Sequence, residues 1–336
     1  MRIAIDTMGG DFGPRATLRG TASALLRDSQ LSAILVGPQH LLDAELDSLP
    51  ASLSRVRDRL QTLAVDGIVA SDARPSRVLR NREPSSMSQA LGLVAKGQAD
   101  ACVSAGNTGA LMALGMREVG RVKGVERPAI CAAVPTRGAR ACSLLDLGAN
   151  VDVAPHHLLA FARMGAMRSR LIDAVERPRV GLLNVGVESV KGTAQVQEAH
   201  ALLAGSESDF DYLGFVEGGD LFSGKVDVVV CDGFVGNVVL KSSEGLAQML
   251  GATLAASWRT RLMAWLARPA LTRLSRELDP VRYNGASLLG LASVVVKSHG
   301  GAAAEGFAFA VTRAASEARE QLPSRLAQAL EGTYSR

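Results

Sequence analysis

Short apolar runs alternate with longer amphipathic blocks along the whole chain. The runs Ile3–Ile5, Ala33–Val36, Ala101–Val103, Ile130–Val134, Ser143–Leu147, Val180–Val185, Val226–Cys231 and Val294–Val296 have the length and Val/Ile content of buried strands, and helix-like blocks fill the gaps. Ser85-Ser86-Met87-Ser88 offers N-caps to a helix through Ala95, and one helix from about Ala303 to Ala329 closes the chain. Gln39 to Asp66 carries no clear period and reads as helices and surface loops. The alternation predicts a mostly parallel sheet with helices on both faces. In such sheets ligands bind beyond the carboxyl ends of the strands.

The distinctive polar residues fall at those ends. They are Asp6 to Asp11, Ser104 to Gly109, Asp146 to Asn150, Asn184 to Lys191, Asp232 to Asn237 and Lys297 to Gly301. Two stretches share a build of apolar strand, glycine-bearing turn and helix: Ala99 to Gly115 and Val226 to Leu246. Glycine admits unusual backbone angles and Asn107 and Thr108 are good N-caps, so the loop Ser104-Ala105-Gly106-Asn107-Thr108-Gly109 is predicted to present N–H groups at a helix start. Such a loop suits an anion. The two units are expected to face each other across a cleft. Lys191 shares a loop with Glu188, which leaves a structural ion pair and a role in the cleft both open. His299 stands where strand-end loops converge, although a lone histidine is more often structural. Arg77, Arg80 and Arg82 read as a solvated face or a contact for an anion.

Composition narrows the field. A chain of 336 residues with 47% hydrophobic and 21% charged residues is an ordinary globular protein, and a net charge of +4 with three Tyr and two Trp does not fit a nucleic-acid binder. Cys102, Cys131, Cys142 and Cys231 form no C-x-x-C pair and read as buried thiols. His156 and His157 are adjacent on a helix and should point to different sides, so no metal is expected there. Gly219 to Lys225 has the spacing of a phosphate-binding Walker loop, but Val226 replaces the Ser/Thr and a strand follows instead of a helix. No G-x-G-x-x-G, G-x-S-x-G or H-E-x-x-H occurs, which speaks against dinucleotide enzymes, serine hydrolases and zinc proteases. The strand at Arg2–Asp6 leaves no room for a secretory leader, and no uncharged run reaches the ~20 residues of a membrane span. A cytoplasmic protein, attached at most to a membrane surface, is the expectation.

The domain organisation expected is one catalytic α/β unit over residues 1–336 with a central cleft and an amphipathic helical hairpin inserted at 245–278. From Leu254 to Leu278, Trp258, Leu262, Trp265 and Leu266 follow helical spacing, Pro269 interrupts, and Leu271, Leu274 and Leu278 continue the stripe. Five arginines against Glu277 make this segment strongly basic. A basic helix with Trp and Leu on one side can lie in an anionic bilayer surface, and the plainer reading is a helix pair packed on the core or at a dimer interface.

Taken together, IAIDTMGGDFGP, ADACVSAGNTGALMA, LLDLGAN, VGLLNVG-x-E-x-x-KG, DVVVCDGFVGNVVLK-x-x-EG, YNGASLLG and VVVKSHG resemble the bacterial phosphate acyltransferases, the acyl-ACP:phosphate transacylases of phospholipid synthesis. Val187 departs from the family's usual acidic residue, Asn284 from a common Gly and Ser287 from a common Pro. The resemblance implies a three-layer αβα fold like that of phosphotransacetylases and isocitrate/isopropylmalate dehydrogenases, a homodimer, and association with the inner face of the cell membrane. It implies that acyl carrier protein delivers a long acyl thioester, that inorganic phosphate takes the acyl group, and that a membrane glycerol-3-phosphate acyltransferase receives the acyl phosphate; no cofactor is implied. Phosphate is already a nucleophile near neutral pH and a thiolate leaves readily, so the site must chiefly position and neutralise. The residues expected to do so are Lys191, Asn237, Lys297 and His299, with Gly9, Gly10, Asp11, Ser104, Gly106, Asn107, Thr108, Gly109, Asp232, Gly233 and Gly236 around phosphate or the oxyanion. Trp258, Leu262, Trp265 and Leu266 are the expected membrane contacts. The competing readings are a small-acyl phosphotransacetylase using coenzyme A, a dehydrogenase of similar architecture, and a non-enzymatic membrane-surface scaffold.

Overall fold

A computed structural model describes residues 1–138, 140–206, 209–255, 281 and 283–334. The chain opens as β1 (Arg2–Asp6), α1 (Gly13–Arg27), β2 (Ser32–Gly37), α2 (Gln39–Asp47), α3 (Ala51–Ser54) and β3 (Leu60–Ala64). It continues as α4 (Pro75–Arg80), α5 (Ser86–Ala95), β4 (Ala101–Ser104), α6 (Thr108–Glu118), β5 (Ala129–Val134) and β6 (Cys142–Leu145). Then come α7 (Pro155–Ile172), β7 (Arg179–Leu183), α8 (Ala194–Gly205), β8 (Asp211–Val216), β9 (Val228–Val230) and α9 (Gly233–Ala255). The last elements are β10 (Ala286–Leu289), β11 (Val294–Lys297), α10 (Ala304–Arg319) and α11 (Leu322–Tyr334). Internal contacts divide the chain into two units.

The first unit takes Met1–Ala132, Met167–Val175 and Asn284–Arg336. Its strands lie in the order β3-β2-β1-β4-β11-β10-β5, with β1 parallel to β2 and β4, and β4 parallel to β11. β10 runs antiparallel to both β11 and β5. Alternate side chains of a strand point to opposite faces, and here both faces are covered. Ile3, Ile5, Ala101, Val103, Val294 and Val296 share one core with Leu18 and Leu25 of α1 and Phe307 and Val311 of α10. Ala4, Cys102 and Val295, one residue out of step, are buried outside that core, on the side that α5 and α6 cover. Gly20 lets α1 and α10 close up, since a Cβ there would stand 2.5 Å from the Ala304 carbonyl oxygen.

The second unit takes Ala133–Ala166 and Glu176–Tyr283, with parallel strands in the order β6-β9-β7-β8. Both units therefore deliver loops from the carboxyl ends of parallel strands into helices.

Several expectations need correction. β3 runs through the stretch read as helices and loops, and β8 and β10 also escaped the pattern: Gln61 and Thr62 of β3 are exposed and β8 alternates, so neither reads as an apolar run. The closing helix is two helices, broken where Gln321 takes φ 51°. The strand read as ending at Leu147 stops at Leu145, because Asp146 begins a turn. Residues 245–255 continue α9 from its start at Gly233, while Trp258, Leu262, Trp265 and Leu266 lie outside the described residues. Among the described residues no helix is long and apolar enough to cross a membrane.

Candidate active site

In the first unit, β1, β4 and β11 are adjacent and parallel, so Asp6, Ser104 and Lys297 are register partners at one sheet edge. Each strand leads through a loop into a helix: α1, α6 and α10. The loops interlock through glycines. A Cβ on Gly9 would stand 2.2 Å from the Gly106 nitrogen, and one on Gly10, which adopts φ +88°, would stand 2.9 Å from the Gly300 oxygen. The Asp11 N–H donates to Gly300 oxygen at 2.9 Å. Gly9 and Gly10 are thus needed for loop-on-loop packing.

Ser104 is fully buried and its hydroxyl accepts the Gly106 N–H at 3.0 Å. Asn107 caps α6, its Oδ1 accepting from Ala110 N–H at 2.8 Å, while its Nδ2 donates to Ser71 and Ala73 carbonyls at 2.7 and 3.2 Å. The Asn107 amide is occupied by structure, and what faces outward is backbone. Among the described residues, the N–H groups of Thr108 and Gly109 have no hydrogen-bond partner, as the first turn of a helix leaves them. α10 also starts without a side-chain cap. Helix starts of this kind attract anions.

Lys297 is only 8% exposed, and its Nζ donates to the Ala105 carbonyl at 3.2 Å and to the Ser298 carbonyl, tying the loops after β4 and β11 together. His299 is exposed, and its Nδ1 accepts the Gly301 N–H at 3.0 Å. Nδ1 is thus the acceptor in that bond, which leaves Nε2 as the ring's donor position. Asn284, one of the departures from the family pattern, accepts His299 N–H at 2.8 Å and donates to Ser298 Oγ at 2.9 Å. Asp6, 2% exposed, carries a carboxyl held above its ordinary range by burial, against the opposing hydrogen bonds of Ser104, Ser86 and Met8 N–H and the charge of Lys297. Asp6 and Ser86 were not among the expected site residues; the one signal was a lone acid ending the apolar run of β1.

In the second unit, Asp146 is fully buried and accepts from Ala149 N–H at 3.1 Å, Asn150 N–H at 2.7 Å and Asn150 Nδ2 at 2.9 Å. The start of α9 packs on this turn. A Cβ on Gly236 would stand 1.9 Å from the Asp146 oxygen, and one on Gly233 would stand 2.6 Å from the Asn150 oxygen. Asp232 caps α9 through Val235 N–H at 2.8 Å. Asn237 is exposed in the first turns of α9 beside Gly148, and its side-chain amide has no hydrogen bond among the described residues. Lys191 pairs with Glu188 at 2.8 Å in the exposed loop after β7, and this pairing raises the lysine pKa and lowers that of the glutamate. The rings of His156 and His157 lie 4.1 Å apart, so the expectation that they diverge fails; Nδ1 of His157 accepts the Ala154 N–H at 2.9 Å. All four thiols are buried, and burial pushes Cys131 up to about 11 and Cys102 and Cys231 well upward.

The fold defines the class first: an α/β protein of mostly parallel strands with its polar loops at their carboxyl ends. It is similar to a phosphotransacetylase from Streptococcus pyogenes, with a TM-score of 0.63 at 16% identity over 95% of this chain and 94% of that one, a likeness of fold alone. The model of the family described as "Fatty acid synthesis protein" matches residues 1–325. A phosphate acyltransferase of Pseudomonas syringae pv. syringae (strain B728a) is 50% identical over 336 residues, covering 99% of this chain and 97% of its own. Another, from Pseudomonas aeruginosa (strain UCBPP-PA14), is 49% identical over 333 residues, covering 98% and 97%. The chain belongs to this family of phosphate acyltransferases, and it is an acyltransferase.

Proposed function

We propose that the acyl donor is a long-chain acyl thioester on acyl carrier protein, that inorganic phosphate is the acceptor, and that the product acyl phosphate enters phospholipid synthesis. The observation that carries the phosphate half of this reading is the set of unpartnered N–H groups at the start of α6, beside a buried Lys297. A hydrogen phosphate dianion held there is already nucleophilic. One of its oxygens attacks the thioester carbonyl, the C–S bond breaks, and the phosphate's proton ends on the departing thiol. The rate gain comes from orientation and from donors aimed at the oxyanion. Within the first unit, Nε2–H of His299 meets the leaving sulfur. In the second unit, Asn237, whose side-chain amide has no hydrogen bond among the described residues, and Lys191, which shares its charge with Glu188, are the donors we assign to an anionic group of the substrates.

The test is direct. Purified protein is given long-chain acyl-ACP and phosphate, and acyl phosphate is trapped with hydroxylamine. Turnover with acyl-ACP supports the reading, whereas turnover confined to acetyl-CoA makes the protein a small-acyl phosphotransacetylase, and no turnover with any acyl donor leaves a scaffold. Asn237→Ala should lower kcat at least tenfold; a folded variant with full activity removes Asn237 from the machinery.

A long acyl chain also gives the basic segment a task, since each CH₂ kept from water contributes ~0.8 kcal/mol. In this reading Trp258, Leu262, Trp265 and Leu266 sit in an anionic bilayer surface, where a membrane glycerol-3-phosphate acyltransferase can collect the product from a homodimeric enzyme. Trp258→Glu with Trp265→Glu should abolish flotation with anionic liposomes. Unchanged flotation would show that these residues do not make the contact.

A further inference from the structure

The buried carboxylate of Asp6 has no part in the chemistry proposed above, yet it lies directly beneath the loop that carries it. Its Oδ1 accepts from Ser86 Oγ at 2.7 Å and from Met8 N–H at 3.3 Å, and its Oδ2 accepts from Ser104 Oγ at 2.6 Å. A serine hydroxyl has one proton to give. Because Ser104 gives that proton to Asp6, its lone pairs are left to receive the Gly106 N–H at 3.0 Å. This turns the Gly106 peptide inward. The next peptides then run into α6 with the N–H groups of Thr108 and Gly109 facing out.

A charge so deeply placed is costly unless compensated. The compensation comes first from the Ser104 and Ser86 hydroxyls and the Met8 N–H, and last from the charge of Lys297, the buried cation whose ammonium holds the Ala105 carbonyl in the same loop. A core that needed only volume at this position would be served by an apolar residue, as at Ile3 and Ile5 on the same strand. Ser86 opens α5, so one carboxylate ties together β1, the start of α5 and the loop after β4.

We infer that Asp6 is a positioning residue for phosphate: acting through Ser104, it fixes the direction of the Gly106 peptide and thereby aims the Thr108 and Gly109 N–H groups at the anion. This rests on the reading of that loop as the phosphate site. Asparagine in place of Asp6 cannot accept from both hydroxyls at once without turning an N–H donor toward one of them. Alanine in place of Ser104 leaves the Gly106 N–H without its acceptor, whereas threonine keeps the hydroxyl and suits a strand end.

The experiment measures steady-state kinetics with phosphate and acyl donor varied separately, on folded Asp6→Asn, Ser104→Ala, Ser104→Thr and Asp6→Asn/Ser104→Ala proteins. KM for phosphate should rise about tenfold or more in Asp6→Asn and Ser104→Ala, while KM for the acyl donor stays within about twofold. Ser104→Thr should restore the phosphate KM. The double variant should be no worse than the poorer single, because both changes break one chain of contacts. An unchanged phosphate KM in both folded single variants overturns the inference, and so does an equal rise in both substrates' KM values. Should Asp6→Asn fail to fold, the Ser104→Ala and Ser104→Thr pair decides alone. Calorimetric titration with inorganic phosphate separates the two levels. If the wild-type protein turns over no acyl donor but binds phosphate, and Ser104→Ala binds it at least tenfold more weakly, the functional reading falls and the positioning role stands.

Discussion

Replacing Gly9 by alanine adds one methyl group, and the structure says where it must go. The new Cβ would stand 2.2 Å from the Gly106 nitrogen and 2.8 Å from both the Ala105 carbonyl carbon and the Gly106 Cα, against 3.4 Å for ordinary contact. All three are backbone atoms of the loop after β4. That loop cannot yield cheaply, because Ser104 Oγ holds its Gly106 N–H and Lys297 holds its Ala105 carbonyl. The loops after β1 and β4 must therefore part by roughly 1 Å, a displacement that commonly costs on the order of 100-fold in rate when it misplaces a reacting group. Overpacking of this kind also costs about 1–3 kcal/mol of stability. The assay is phosphate-dependent acyl transfer at 25 °C beside a urea melt, with Gly92→Ala as the control. Gly92 lies within α5, and a Cβ there meets nothing within 4 Å. Gly9→Ala should keep a cooperative melt yet lose about 100-fold in kcat/KM for phosphate. Wild-type kcat/KM in a folded Gly9→Ala protein would refute the claim that loop spacing sets the anion site.

The control is itself a prediction: Gly92→Ala should gain about 0.5–1 kcal/mol in the urea melt, through helix propensity and a less flexible unfolded chain, with activity unchanged. Glu317→Ala should cost about 3–5 kcal/mol in the same melt, since Glu317, 1% exposed, faces Arg168 at 3.4 Å, accepts from the Ser287 hydroxyl and balances a guanidinium that is 2% exposed. A loss below 1 kcal/mol would mean that Asp173, which bonds the same Arg168 at 2.9 Å, suffices. Asp227 supplies a pH test: burial alone would raise its carboxyl, but the Arg179 side chain at 2.9 Å and backbone N–H at 2.8 Å outweigh it and hold the pKa below the ordinary 3.8. A carboxyl lowered on folding adds stability that is present above its unfolded value and is lost as pH falls through the folded one. Asp227→Asn should therefore be less stable at pH 7 and should lose less on acidification below about pH 4, read by urea melts at both values.

Much of this was legible in the chain. Runs of Val, Ile and Ala flanked by glycine and polar residues placed the core strands, because burial on both faces demands unbroken apolar sequence. The same runs located the loops at their ends, and Asn107 and Ser85 announced helix starts by their capping chemistry. β3 and β8 were hidden because their exposed faces keep polar or mixed residues, and the break at Gln321 because a non-glycine residue with positive φ leaves no mark in composition.

What the sequence determined by itself was the set of loops that could hold an anion, since local backbone preference decides where strands stop and helices start. Which atoms of those loops remain for a ligand was decided by tertiary structure. Asn107, expected on sequence grounds around phosphate or the oxyanion, has its amide occupied by Ala110, Ser71 and Ala73. Gly9 and Gly10 meet neighbouring loops. Asp6, eighty residues from Ser86 and ninety-eight from Ser104, meets both only because parallel pairing brings β1 beside β4 and packs the start of α5 over them. Hydrogen bonds between residues so far apart depend on register and burial, and neither is a property of any short stretch of chain.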